Sequence, residues 1–221
     1  MVDPFQTTSS AIGKVFSPYE IHFNEINFSK HMFIDKLYIM EYREMMRMKA
    51  VFIDRDGTIG GTDQVEYPGE MKLFPSTEQL IQQLKDLGYL VYSFTNQPDV
   101  SRGKVMEVDF VKELTKFGFD GVYLCPHTHE DGCHCRKPLP GMLIRAAEEN
   151  DLQLQECIVI GDRWTDLLAA HEAGCKKILV KTGAGLESFH KYKNKEYYGK
   201  WAHVQPEYIA ENLKDAVQWI V

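Results

Sequence analysis

From residue 49 onward, short apolar runs alternate with longer stretches whose apolar residues recur every three or four positions. That alternation predicts strands and helices in turn, the pattern of an α/β, Rossmann-like parallel sheet with helices on both faces. Residues 49–53 read as the first strand. Ser76 opens a helix with capping-box spacing to Gln79, sets Leu80, Ile81, Leu84 and Leu87 on one face, and stops at Gly88. Residues 89–94 form the next strand, and a helix over 107–117, with Val108, Val111 and Leu114 on one side, leads to a strand at 119–124. A helix over 140–150, a strand at 157–160, a helix ending near Gly174 and a strand at 177–180 complete the pattern.

Ahead of residue 48 this order is lost. Residues 1–17 are polar without a period, and residues 38–48 form a Met-rich, charged stretch compatible with a short helix. The chain thus divides into an N-terminal segment, 1–47, and one domain, 48–221. The segment is either a docked or mobile arm or an extension upstream of a true initiator at Met48. At 221 residues the length suits one well-buried domain with such an appendage.

A formal charge of −7 argues against nucleic acid as the partner and favours a small anionic, phosphorylated metabolite. No stretch has the apolar length of a membrane span, and the N-terminus lacks the pattern of a secretory leader, so no membrane partner and a cytoplasmic location are expected. Nothing in the pattern specifies an oligomeric state.

Ligands of such sheets bind beyond the carboxyl ends of the strands, and the chemically rich clusters fall there. Asp54-Arg55-Asp56-Gly57-Thr58 follows the first strand. Read alone, it is a turn with two solvated acids; read functionally, Asp54 attacks phosphorus, while Asp56 protonates the leaving oxygen and later deprotonates a water. Thr95, in Ser93-Phe94-Thr95-Asn96-Gln97, is either a strand-end hydroxyl bonded to its own backbone or a hold on phosphate oxygens, with Asn96 beside it as a substrate contact. Lys137, in Arg136-Lys137-Pro138, is a solvated cation or the group that neutralises charge on the transferred phosphoryl. Two carboxylates and a phosphate call for a cation, and Asp162 with Asp54 and Asp56, the last through its backbone carbonyl, makes an oxygen-rich site suited to Mg2+. Asp166 is either a first-turn helix acid or a metal contact through water.

The segment 125–135 carries the most specific local signal. Cys125 and His127, then Cys133 and Cys135, offer three thiolates and an imidazole, the closed tetrahedral set of a structural Zn2+. His129 and His134 are substitutes for His127. Cys157 and Cys175 stand apart as core residues.

Taken together, Asp-x-Asp-Gly-Thr, Thr-Asn-Gln, Cys-Arg-Lys-Pro and Gly-Asp-Arg-x-x-Asp, in this order, resemble the haloacid dehalogenase (HAD) superfamily of phosphatases. The zinc loop narrows the resemblance to the small-cap branch that contains D-glycero-D-manno-heptose 1,7-bisphosphate phosphatase and histidinol-phosphate phosphatase. It covers the chain from Lys49 to the C-terminal helix. It implies Asp54 as nucleophile, Asp56 as general acid and base, Thr95 and Lys137 as phosphate stabilisers, Asp162 with both acids of the first motif at magnesium, and Arg136 as a substrate-recognition residue. The run from Cys135 to Met142 looks more like the heptose enzymes; the five-residue zinc spacer and Gly161-Asp162-Arg163 look closer to the histidinol enzymes. Pro98-Asp99 and Gly60-Gly61 depart from the family pattern at the entrance. No insertion is large enough for a cap domain, so the zinc loop and residues 60–68 must wall the substrate.

The expectation is a Mg2+-dependent phosphatase with a structural zinc, acting on a sugar bisphosphate, with histidinol phosphate as the alternative. Two rivals of another class are a receiver-like signalling domain and a zinc-stabilised binding module without turnover. The first would place its acceptor aspartate on a later strand. Retention of Asp54, Asp56, Thr95, Lys137 and Asp162 together speaks against the second.

Overall fold

The four residues of β1 (Ala50–Ile53) are all buried, because successive side chains point to opposite faces of a sheet that is covered on both sides. The computed structural model describes residues 48–221; the expectations for residues 1–47 lie outside the described residues. Val51 and Ile53 enter one apolar layer, with Leu80, Ile81 and Leu84 of α1 (Thr77–Asp86) and Leu213, Ala216 and Val217 of α6 (Leu213–Ile220). Ala50 and Phe52 enter the other, with Met142, Leu143 and Ala146 of α3 (Gly141–Asn150) and Ala169 and Ala170 of α4 (Trp164–Ala173).

β1 is the centre of a six-stranded sheet in the order β3-β2-β1-β4-β5-β6, with every pairing parallel. The other strands are β2 (Leu90–Asn96), β3 (Gly121–Cys125), β4 (Ile158–Gly161), β5 (Lys176–Val180) and β6 (Tyr208–Ala210); α2 (Glu107–Lys116) and α5 (Gly185–Lys193) complete the helices. The chain order reverses direction at β1, between β2 and β4. That is the switch point where loops splay apart and leave a crevice. Ile53 pairs with Ser93 of β2 and Ile160 of β4, so Asp54, Thr95 and Asp162 emerge at the same end.

The α/β expectation agrees with this architecture, and three local readings need correction. Ser76 lies in the left-handed region (φ 66°) and makes no side-chain cap, so the capping box with Gln79 does not form. A capping hydroxyl reaches the first-turn amides from extended backbone, which Ser76 lacks. Leu87 ends the helix and is 41% exposed. In α2 the buried face is Phe110 and Leu114, four residues apart, whereas Val108 and Val111 face outward; the large ring sets the rotation of the helix. The short β6 and α5 carried too few periodic positions to be read. Among the described residues no helix is long and apolar enough to cross a membrane.

Phe52 packs against Tyr92, Phe94 and Tyr123, with ring centroids 5.5, 6.3 and 6.2 Å away. We expect Phe52→Ala to lower the unfolding free energy in urea by about 3–5 kcal/mol, the cost of an unfilled aromatic cavity.

Candidate active site and metal centres

Asp54 leaves β1 with its amide donating to the Ile160 carbonyl (2.9 Å), which extends the sheet by one residue and aims the carboxylate into the crevice. Lys137 reaches the same point from the segment before α3. Its ammonium donates to Asp54 Oδ1 (2.5 Å) and the Phe94 carbonyl (2.9 Å), and lies 2.6 Å from Asp166 Oδ1. Burial alone would lower the pKa of Lys137, but Asp166 and Asp54 outweigh it and hold the ammonium charged. Asn96 fixes the lysine backbone: its Nδ2 donates to the Lys137 carbonyl (3.2 Å) and its Oδ1 accepts from the Lys137 amide (3.1 Å). With both ends of its amide engaged, Asn96 lines the crevice chiefly as a support for Lys137.

Asp54, Asp162 and Asp166 each offer a carboxylate oxygen within 4.8 Å of the others, and all three are buried. Three carboxylates face one ammonium. Burial, then Asp54 and Asp166, push Asp162 up to about 8; burial raises Asp166 to about 6 despite Lys137. Asp162 Oδ2 accepts the Ala184 amide (2.7 Å), but Oδ1 is buried without a hydrogen-bond partner. An orphaned carboxylate oxygen in an all-oxygen donor set fits a hard divalent cation such as Mg2+. Asp166 also accepts the Arg163 amide (2.9 Å), so it is at once a helix-start acid and a partner of Lys137.

Asp56 does not join that trio. Its carboxylate accepts from Arg55 (2.6 Å), the Glu66 amide (3.1 Å) and Gln97 Nε2 (2.7 Å). Its side chain therefore stands apart from those three carboxylates, against the expectation that both acids of the first motif meet at one cation, and its backbone carbonyl is the group left to face one. Burial, reinforced by Asp54, raises its pKa against the opposing pull of Arg55. Gln97 also donates to the Thr95 hydroxyl (3.0 Å), which places Thr95 beside Asp56.

Arg55 and Gln97 lay within quoted motifs but had no assigned role. Arg55 is fully buried and forms a second ion pair, to Glu113 of α2 (2.7 Å), while donating to the Glu66 carbonyl (2.8 Å). Glu113 in turn accepts the Gly69 amide (2.7 Å). Fifty-eight residues separate Arg55 from Glu113, so no local pattern could have paired them.

A cavity of 280 Å³ opens over Asp54 and Lys137, walled by Asp63 and Val65 on one side and by Asn96, Pro98 and Arg136 on another, with Arg163 and Thr165 completing the rim. The segment 60–68 thus supplies part of the wall, as expected. The loop 125–135 contributes indirectly, since Arg136 donates to the His127 carbonyl (2.9 Å). Both departures from the family pattern have physical roles. A Cβ on Gly60 would meet the Lys72 carbonyl at 2.5 Å, and Asp99 accepts from the Tyr67 hydroxyl (2.7 Å), joining the two loops that flank the opening.

Cys125, His127, Cys133 and Cys135 converge, with donor atoms 3.2–3.7 Å apart in the contacting pairs. A tetrahedron of ~2.3 Å metal–sulfur bonds has edges of about 3.8 Å, so the cluster has nearly the right size for zinc. His127, rather than His129 or His134, lies with the three cysteines in this cluster.

The haloacid dehalogenase-like hydrolase family profile matches residues 63–174, and a related HAD hydrolase profile matches residues 134–216. The D-glycero-beta-D-manno-heptose-1,7-bisphosphate 7-phosphatase of Helicobacter pylori strain J99 is 32% identical over 184 residues, covering 78% of this chain and 97% of that protein. The D-glycero-D-manno-heptose-1,7-bisphosphate 7-phosphatase of Thermosynechococcus vestitus is 34% identical over 201 residues, covering 79% and 96%. The crystal structure of the D,D-heptose 1,7-bisphosphate phosphatase of B. bronchiseptica, complexed with magnesium and phosphate, superposes with a TM-score of 0.65 at 32% identity, covering 78% of this chain and 98% of that one.

Arg55 is shared between Asp56 and Glu113, so Glu113→Leu leaves it one carboxylate partner and should destabilise the protein by about 1–3 kcal/mol in urea unfolding. Adding Arg55→Met should deepen the loss, because buried Asp56 then has no cation beside it.

Proposed function

We propose, from the premise that this chain belongs to the haloacid dehalogenase-like hydrolase family, that its crevice hydrolyses a sugar bisphosphate by way of a phosphoryl group carried on Asp54. The observation that carries this reading is the Lys137 ammonium held between Asp54 and Asp166, beside the orphaned oxygen of Asp162. HAD phosphatases use Mg2+, and Asp54, Asp162, Asp166 and the backbone at Asp56 are the groups that would hold it here. When bound, the ion neutralises carboxylate and phosphate charge and so lets an anionic nucleophile meet an anionic substrate.

Asp54 attacks phosphorus while the ester P–O bond breaks, and Asp56 gives its proton to the departing sugar oxygen. Its raised pKa favours the protonated acid this step needs. Asp56, now a carboxylate, takes a proton from a water that attacks the phosphoryl-aspartate. Phosphate leaves, and the Asp54 carboxylate and the Asp56 acid are restored. Lys137 and Thr95 hold the phosphoryl oxygens; Gln97 and Arg55 hold Asp56 in place. Arg136 at the rim is the candidate contact for the substrate's second phosphate, since a guanidinium pairs with phosphate through two parallel hydrogen bonds.

The names of the relatives support heptose 1,7-bisphosphate, cleaved at the 7-phosphate, as the substrate. The Cys125, His127, Cys133 and Cys135 set would hold a structural zinc, with no coordination position left for chemistry.

In a screen of phosphorylated metabolites, heptose 1,7-bisphosphate should exceed histidinol phosphate in kcat/KM by about 10²-fold or more, as placed charged contacts discriminate; parity between the two would remove the sugar assignment. Asp56→Asn should lower kcat by about 10²–10⁴-fold, the contribution of a positioned acid and base, with KM little changed. Metal analysis should find about one zinc per chain, and Cys133→Ser should lower Tm by about 5 °C or more, since a closed structural site contributes folding energy directly.

A further inference from the structure

A second cavity, of 470 Å³, lies apart from the catalytic crevice and is lined by Tyr192, Lys193, Lys195, Tyr197, Trp201 and Ala202. Its size is within the range of pockets that hold small organic ligands. Three aromatic residues form its wall. Tyr197 stacks on Trp164 (centroids 4.3 Å apart, planes 11° apart), and the Trp164 indole donates to the Trp201 carbonyl (3.0 Å), so the wall is anchored in the core.

The rim is cationic in a chain that is acidic overall. Neighbouring Lys191 and Lys200 are tied to Glu187 and Glu172, but Lys193 and Lys195 make no ion pair among the described residues. Lys195 is also held in an unusual way. At the end of α5 the Lys195 amide donates to Tyr192 (3.1 Å) and the Glu196 amide to Lys191 (2.9 Å), the two bonds of a Schellman termination. That motif places a left-handed residue after the helix, normally glycine, and here it is Lys195 at φ 57°. The left-handed backbone serves the helix termination and carries the Lys195 side chain to the rim of the cavity.

We propose that this cavity is a nucleotide site, separate from the catalytic crevice. The base stacks on the wall of Tyr192, Tyr197 and Trp201, as bases do on aromatic side chains, and Lys193 and Lys195 take the phosphates. Charge complementarity selects an anion, and the aromatic lining selects one that carries a flat ring.

Isothermal titration with α,β-methylene-ADP, in which a methylene bridge replaces the cleavable phosphoanhydride oxygen, tests the assignment on the full-length protein. Lys195→Gly should raise Kd by about tenfold or more, the scale of one lost charged contact, while leaving Tm unchanged or higher because glycine suits the left-handed position. Trp201→Ala should raise Kd by about 5-fold to 100-fold, the range for loss of a stacked base, and Arg136→Ala should leave Kd within about twofold, since that residue lies at the other cavity. Methylenediphosphonate, which has the phosphorus groups without the base, should bind more weakly by the same factor as Trp201→Ala. Any of three results overturns the proposal: no binding, sensitivity to Arg136→Ala with indifference to Lys195→Gly, or equal affinity for methylenediphosphonate.

Discussion

A single buried ammonium organises the site. Lys137 is nearly inaccessible, yet stays charged because Asp54 and Asp166 flank it. A lone ammonium would not tolerate that burial, and three clustered carboxylates would not tolerate one another without it. The pairing leaves an imbalance, with Asp162 pushed up to about 8 and one of its oxygens unpartnered. A divalent cation removes that imbalance, which links the geometry of the cluster to the magnesium use of HAD phosphatases.

The sheet makes this convergence possible. Parallel pairing of β1 with both β2 and β4 carries Asp54, Thr95 and Asp162 to one edge, while Asn96 holds the backbone of Lys137 against it. Close packing of the loops beyond that edge requires residues without side chains: a Cβ on Gly57 would lie 2.5 Å from Asp162 Oδ2 and 2.8 Å from Gly183. At the end of β3, the sulfur and imidazole cluster of Cys125, His127, Cys133 and Cys135 stops directly before Arg136 and Lys137, and Arg136 donates to the His127 carbonyl within it. A metal there would act on catalysis by fixing this segment rather than by touching the substrate.

Motifs made of contiguous residues at strand ends were legible in the sequence, because strand periodicity located the ends and spacing located the groups. Asp54, Asp162 and the Cys125 to Cys135 set fall in this class. Contacts between distant segments were not. Glu113 on α2 and Gln97 at the end of β2 support Asp56 from different parts of the chain, and nothing local marks either for that task. The helix rotation that buries Phe110 and exposes Val111 was hidden for a related reason: both are apolar, and only packing against the sheet decides between them. Asp166 was legible as an acid in a first turn, but its pairing with Lys137 required the fold.

If Asp54 carries the phosphoryl group, served by Lys137 and a cation beside it, a single turnover must leave phosphorus on that carboxylate. Rapid acid quench followed by mass spectrometry of the peptides should find a transient phosphoryl adduct on the peptide containing Asp54, absent in Asp54→Asn. An adduct on another residue, or full turnover by Asp54→Asn, would contradict that assignment.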